Sequence, residues 1–561
     1  MVMNNRKNII LEEYENEFLY KKSKTNLDIQ FNRIAFIFFV FVMVSIIYSI
    51  QLLHLGSLKS ESDAKSIPNI KDYRADIVDR NGNYLVKTVR SIDIGISPIE
   101  VIDKQKLLIN LKWIFPKKDY AEVEKKLNKN KFFKFEKTIS SINYQKIMSL
   151  GDKAIRPEEK LTRIYPQKNL FSHIVGQIDN ENNGISGLEK SFDQELKQRK
   201  KALQLTVDAD IQFLIREELV KFQSIFRSKG AAAILMNVNN GEIISMVSYP
   251  DFDLNKREKI LDLNFINRAT KGVYELGSVF KTFTVAAGLE ENLIDTDTEF
   301  LNLEKRLQCG KSSITEYDNK IPSDLTVEQI LIRSGNVGSV RIGQKLEIIK
   351  LKTFLEKIGI LNKINFDIEE VGEPIPFQWG KCKLATVSYG HGITTTPLQL
   401  AKAYAIISNG GFDIEPSLIK KDLKNYQQKK RIIKEGISKK INQILRKIVA
   451  TKEGTAGLAN IEGYEVGGKT GTANKPSIGG YSKTKKVNTF AGIFPVSNPK
   501  YVLIVLFDEP KTSSDYLYEY KNKKGSYKGT PFNTAGWTSV EVAGKIIEKI
   551  GPILATKHIE N

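Results

Sequence analysis

The chain has 561 residues, 41% of them hydrophobic and 27% charged, with 85 Lys and Arg against 65 Asp and Glu and a net charge of +20. That composition excludes a wholly disordered or collagen-like chain and leaves room for several domain equivalents with a sizeable core. The excess of cations favours an anionic partner, yet no zinc-finger spacing or RNA-recognition signature accompanies it, so nucleic acid is not expected.

In chain order, a polar arm (1–33) precedes the uncharged run Ile34–Ile50, "IAFIFFVFVMVSIIYSI", which "QLL" extends to Leu53. This matches the about 20 apolar residues that cross a bilayer. It is too long for the apolar core of a cleaved signal, and no A-x-A follows. It also lacks the polar face of a core helix. The span 34–53 is therefore expected to be a transmembrane anchor. Lys21, Lys22, Lys24 and Arg33 lie just before it, and the next cations are Lys59 and Lys65, which predicts a cytoplasmic N-terminus. Residues 55–70 read as a polar linker.

In "RADIVDRNGNYLVKTVRSIDIGIS", Asn81-Gly82 between apolar runs predicts a hairpin. Residues 105–160 are Lys-rich with helical periodicity and show no chemistry. "GISGLEKSFDQEL" closes this region, giving an expected domain of 54–204. The segment 205–555 is expected to form a second domain, with 556–561 as a tail. It opens on a helix capped by Asp208 or Asp210, with Ile211, Leu214, Ile215, Leu219 and Phe222 on its apolar face. Two strands follow, joined at Asn240-Gly241. Several helices come next, one of them with Thr396 as N-cap, Pro397 at its first position and Gly410 beyond its end. Three late strands include "KYVLIVLFDEP", apolar throughout as a buried central strand would be, before a C-terminal helix. Two strands, a helical block, three strands and a helix predict an α+β fold, an antiparallel sheet flanked by helices.

Cys309 and Cys382 are read as two unrelated thiols, and a single bridge requires an oxidising compartment. The four histidines are dispersed, with no HExxH pattern; neither a metal nor a cofactor is expected. The Lys420–Lys434 run reads as a solvated face.

The chemistry is expected at "YELGSVFKTF". Ser278 and Lys281 are three residues apart, which places them on one face of a helix. The apolar sequence after them predicts a buried helix, where desolvation favours a neutral lysine, that is, a general base beside a nucleophile. SxxK alone is a weak signal: Ser62–Lys65, in the linker, and Ser482–Lys485, in a polar loop, match it by accident. The companions are more specific. Ser334-Gly335-Asn336 falls between two helical stretches, though Ser141-Ile142-Asn143 is a decoy of the same form. Lys469-Thr470-Gly471-Thr472 falls on the first late strand, and the K-T-G occurs once. S-x-x-K with S-x-N and K-T-G is the motif set of serine β-lactamases and penicillin-binding proteins.

The chain resembles the class B penicillin-binding proteins. "RADIVDRNGNYL", "GISGLEKSFD", "GEIISMVSYPDFDLN", "ATVSYGHGITTTPLQLAKAYA" and "GGKTGTA" carry the resemblance beyond the trio, over about residues 34–555. It implies a penicillin-binding/serine β-lactamase-like transpeptidase domain on an elongated β-rich pedestal of the dimerisation type, with one N-terminal transmembrane helix in the bacterial inner membrane and the catalytic domain in the periplasm. It implies Ser278 as nucleophile and Lys281 as base. Ser334 passes the proton to the leaving amine, and Asn336 holds the substrate amide. Lys469, Thr470 and Thr472 grip a carboxylate, Gly471 lets the strand approach substrate, and the amides of Ser278 and Thr472 form the oxyanion hole. The implied substrates are peptidoglycan stem peptides, a D-Ala-D-Ala donor and an amine acceptor such as that of diaminopimelate, with β-lactams as covalent inhibitors. "GGYSKTKKVNTFAGIFPVSNPKYVLIVLFDEP" is similar to the division-septum, FtsI-like type. That type implies an FtsW-like glycosyltransferase and other divisome proteins as partners. The alternatives are an elongation-type transpeptidase, a D,D-carboxypeptidase or β-lactamase-like hydrolase, and a scaffold with an idle site. Leu276 stands where the family usually has proline, so the approach to Ser278 lacks a fixed φ. Gly335 stands where some relatives carry an acidic or larger residue.

Overall fold

The apolar run lies in one long helix, Asn26–Ser57, of a computed structural model that describes residues 26–57, 73–256, 265–310, 312–420, 430–477, 480–519 and 526–557. Its Arg33–His54 stretch has a mean hydropathy of 2.5 and is exposed throughout, a surface that only an apolar surrounding would cover. The helix takes in the last eight residues of the expected arm. Residues 1–70 and 71–561 form two separate units, each described here by itself. The Ser62–Lys65 decoy and most of the Lys420–Lys434 run lie outside the described residues.

In the second unit, Ile77–Val78 and Tyr84–Ile96 form the expected hairpin, with Gly82 at φ +87° in the turn, a conformation that costs glycine little. Tyr84–Ile96 then pairs antiparallel with Ile155–Ile164, and Ile77–Val78 pairs in parallel with Leu203–Gln204. The Lys-rich stretch between these strands supplies three helices, Lys104–Ile114, Tyr120–Asn128 and Ser141–Met148, whose apolar sides enclose a small core of their own around Ile94, Leu107, Leu111, Leu127 and Ile147. The Ser141–Asn143 decoy sits at the start of the last of these helices, far in sequence from the other motifs.

The main core runs from Ala75 to Leu554 and surrounds a five-stranded antiparallel sheet. Its strand order is Gly467–Ser477, Gly480–Phe494, Tyr501–Asp508, Gly230–Asn237, Ile243–Tyr249. The apolar strand "YVLIVLFD" is central, and each of its residues is buried. A central strand is covered on both faces, so it needs apolar side chains at every position rather than at alternate ones. Helices Ala209–Phe226 and Ser539–Lys557 pack together against the sheet. Asp208 caps the first by accepting from the amides of Asp210 and Ile211. Helix Pro397–Ser408 packs on the three inner strands, with Lys281–Glu290 and Glu435–Ala450 nearby; Thr396 opens it with a capping box.

Three features depart from the sequence reading. Cys309 and Cys382 are joined in a disulfide with a Cα–Cα separation of 5.4 Å, so they are not unrelated thiols. Spacing could not pair them, because 73 residues separate them. Ser482–Lys485 lies not in a loop but in the Gly480–Phe494 strand, where it extends a ribbon beyond the sheet body. The helical block also contains an unexpected hairpin, Arg306–Cys309 with Ser312–Thr315.

Candidate active site

Each motif is delivered by a different element. Ser278 lies in a short 3-10 turn, Gly277–Phe280, that runs into the helix Lys281–Glu290. Leu276, before it, is fully buried with φ −97°, outside the range a proline ring allows. Packing therefore fixes the approach here in place of a ring. Ser334 follows the helix Val327–Ile332 and adopts φ +58°, an uncommon backbone for a residue with a side chain. Asn336 opens the helix Asn336–Lys357. Lys469 to Thr472 lie on Gly467–Ser477, an edge strand of the sheet.

These elements close on one another through glycines. A Cβ at Gly471 would stand 2.0 Å from the Leu276 carbonyl oxygen, and one at Gly277 would stand 2.8 Å from that of Thr472. The motif strand thus lies directly against the nucleophile turn. The bare Cα of Gly471 gives the strand access to the Leu276 backbone.

The polar groups converge on Ser334. Lys281 Nζ donates to the Ser334 carbonyl, to Ser334 Oγ at 3.2 Å and to Asn336 Oδ1 at 2.7 Å. Lys469 Nζ donates to the same Oγ at 2.9 Å. One hydroxyl therefore lies between two amines from different elements. Both lysines are completely buried. Burial brings the Lys281 ammonium down to about 7, against the opposing pull of Glu316. Burial, reinforced by the charge of Lys281, holds Lys469 well below its ordinary value. The desolvated, partly neutral lysine that the sequence predicts is therefore present. The half-buried Ser278 hydroxyl makes no hydrogen bond to Lys281, whose amine is turned toward Ser334 and Asn336. Bonds of this kind commonly tighten only when substrate arrives.

Alternation along the strand splits the remaining residues between two faces. Gly471 faces the nucleophile turn, and Lys469 Nζ, besides Ser334 Oγ, reaches the Thr470 carbonyl at 3.1 Å and Thr470 Oγ1 at 3.3 Å. Thr470 Oγ1 meets Thr455 Oγ1 at 2.7 Å, and Thr472 Oγ1 accepts the Ala535 amide at 3.0 Å. With its acceptor side engaged, the Thr472 hydroxyl keeps its hydrogen for donation. Sequence reasoning missed Thr455, the Ala535 amide and Glu316. The first two carry no motif. The third follows the unexpected hairpin, whose turn at Gly310 was the available signal.

A five-stranded antiparallel sheet flanked by helices, with a serine on a turn, two buried lysines and an SxN loop, defines an active-serine acyl transferase fold. Residues 231–531 match the penicillin binding protein transpeptidase domain and residues 69–224 the penicillin-binding protein dimerisation domain. The chain belongs to the penicillin-binding protein transpeptidase family. It is 29% identical over 502 residues to the probable peptidoglycan D,D-transpeptidase FtsI of Caulobacter vibrioides, covering 87% of this chain and 82% of that one. It is 28% identical over 524 residues to FtsI of Buchnera aphidicola, covering 86% and 90%. Among solved structures, penicillin-binding protein 3 of Mycobacterium tuberculosis, complexed with aztreonam, superposes with a TM-score of 0.64 at 22% identity, over 87% of this chain and 97% of that one.

Proposed function

We propose that this D,D-transpeptidase cross-links stem peptides at the division septum through an acyl-enzyme on Ser278. The observation that carries the reading is the convergence of the Lys281 and Lys469 amines on Ser334 Oγ, beside the turn that bears Ser278. Ser278 Oγ attacks the carbonyl of the penultimate D-Ala as its proton passes to Lys281. The amides of Ser278 and Thr472 receive the developing oxyanion. As the C–N bond breaks, Ser334 hands the proton to the departing D-Ala amine. Asn336 holds the donor amide, and Lys469, Thr470 and Thr472 hold its terminal carboxylate. An acceptor amine then attacks the ester, forms the cross-link and releases Ser278. A β-lactam supplies an amide that acylates the same serine, which agrees with the aztreonam complex of the structural relative.

The septal role draws on the FtsI-like stretches and on the FtsI relatives. It brings an FtsW-like glycosyltransferase and other divisome proteins as partners at residues 34–53 and 54–204, with 205–555 as the catalytic domain and 556–561 as a tail. The apolar helix is a single-pass inner-membrane anchor. Lys21, Lys22, Lys24 and Arg33 keep its N-terminus cytoplasmic, which leaves the enzyme in the periplasm. The disulfide agrees with that oxidising compartment.

The test is mass spectrometry of the penicilloyl adduct, paired with the Ser278→Ala variant. A single adduct on the Ser278 peptide, absent from the variant, is expected. Undiminished labelling of folded Ser278→Ala removes the nucleophile. For the septal role, depletion of the chain should give filaments that active protein rescues. Rounded cells would point to elongation.

A further inference from the structure

Glu316 belongs to none of the three motifs, yet it touches the middle one. It follows the hairpin Arg306–Thr315, and its carboxylate accepts the first two amides of the Asn336 helix, Asn336 N at 2.6 Å and Val337 N at 2.8 Å. The residue before it acts on the side chain: Asn336 Nδ2 donates to the Thr315 carbonyl at 2.7 Å. That bond fixes which way the amide faces. With Nδ2 on a carbonyl, Oδ1 is the atom left to meet the Lys281 amine, and it does so at 2.7 Å. Two consecutive residues, Thr315 and Glu316, therefore set the position of Asn336, and through it the position of Lys281.

Charge points the same way. Among the described residues, the charged groups facing Lys281 are Lys469, from the motif strand, and Glu316, from the hairpin exit; Arg333 and Asp318 lie further out around Tyr317. Glu316 is thus an acidic group that acts on the buried Lys281 amine. Gly335 leaves it room: a Cβ there would stand 3.7 Å from Glu316 Oε1. The hairpin that delivers Glu316 is tied to the helix Lys381–Val387 by the Cys309–Cys382 bridge, six residues before Thr315.

We propose that Glu316 is a positioning residue for acyl transfer, aligning Asn336 and Lys281 through the start of the helix and acting on the Lys281 charge, and that the Cys309–Cys382 bridge holds the hairpin that delivers it. The inference rests on the acyl-enzyme reading of Ser278 and Lys281. A simple helix cap would do the first of these and not the second. The negative carboxylate favours the Lys281 ammonium, so removing it frees the amine at lower pH.

The test measures the rate of penicillin acylation against pH for the full-length protein and its variants. Glu316→Gln is expected to lower the plateau rate on the order of tenfold, through loss of alignment. It is also expected to move the acid-side midpoint to lower pH by about half a unit. Glu316→Asp, which keeps the charge on a shorter arm, should return the midpoint toward that of the parent while the plateau stays reduced. It also keeps the test open if the Gln variant does not fold. A reduced plateau with an unmoved midpoint in the Gln variant overturns the proposal and leaves Glu316 as a cap alone. An unchanged profile overturns it outright. The Cys309→Ser/Cys382→Ser variant should move plateau and midpoint in the same directions as Glu316→Gln by a smaller amount, and a parental profile removes the bridge from the proposal. Ser278→Ala is the separating control. If it still becomes labelled, the acyl-enzyme reading fails, whatever Glu316 does.

Discussion

Arg74, Arg163, Glu189 and Asp193 bury charge at the base of the N-terminal region, and Lys281 with Lys469 bury it in the cleft, yet the two clusters are built in opposite ways. In the first, every charge meets its opposite. Arg74 Nε lies 2.5 Å from Glu189 and its Nη1 lies 2.8 Å from Asp193, while Arg163 Nε reaches Glu189 at 2.8 Å. Arg163 also donates to the Arg74 and Ala75 carbonyls, so the cluster joins the start of the region to the Ile155–Ile164 strand and the helix Gly187–Ser191. In the second, two amines meet one hydroxyl, with no carboxylate in direct contact among the described residues. Paired buried ions stay charged and hold elements in place. Unpaired buried amines lose protons, which is the state a general base needs. The same act, removing charge from water, yields a joint in one place and a reactive group in the other.

Removing one member of each cluster tests that distinction most strongly. Lys281→Met should lower penicillin acylation by about 10²–10⁴-fold, the usual contribution of a general base, while the thermal unfolding midpoint shows the protein still folded. Acylation within a factor of a few of the parent would show that the buried amine is only packing. Glu189→Ala should do the reverse. It strands the buried Arg163 guanidinium, leaves Arg74 with Asp193 alone, and should cost about 3–5 kcal/mol in a denaturant titration. The folded fraction that remains should acylate with the parental pH midpoint. A shift in that midpoint would mean that the two clusters are coupled and the contrast is false.

The fold elements were legible wherever local signals and packing agree. Asn81-Gly82, the Thr396-Pro397 pair and the apolar central strand are each a local pattern with one physical solution, while the cap offered by Asp208 or Asp210 was narrowed to Asp208 only by the fold. The motif residues were legible because their types are rare at that spacing. What escaped depends on contacts between distant segments. Nothing local to Cys309 pairs it with Cys382, and nothing in "SSITEY" says that its glutamate will cap a helix starting twenty residues later. Gly471 shows the same limit. The sequence says that a Cβ is unwelcome there, and only the fold says that the Leu276 carbonyl is what it would strike.

The two clusters should also answer to different pH ranges. Lys281 loses its proton near 7, so acylation should climb about tenfold per pH unit below 7 and level off above it. Lys469 is held below its ordinary value by burial first and by the charge of Lys281 second, so the two amines resist being charged together. A rate flat from pH 5 to 8 would mean that neither amine is the base.

The smallest effect is expected from the rim of the first cluster. Asp193 is partly open to solvent. Burial pushes its carboxyl up, but hydrogen bonds from Lys197, the Gly184 amide and Arg74 outweigh that and hold it below its ordinary 3.8. For a carboxylate lowered in the folded state, the stabilisation is complete above the unfolded value and is lost as pH falls through the folded one. Asp193→Asn should therefore reduce stability at pH 7 by about 1 kcal/mol, a figure kept small by solvent screening at a partly exposed pair. The difference from the parent should shrink as pH falls through the lowered value of Asp193 and the carboxylate is protonated. The variant's acylation profile around pH 7 should overlay the parent's. If the stability difference instead opened between pH 6 and 8, proton uptake at the N-terminal cluster would share the window of the lysine pair. The separation of joint from reactive group by charge pairing would then not hold in this molecule.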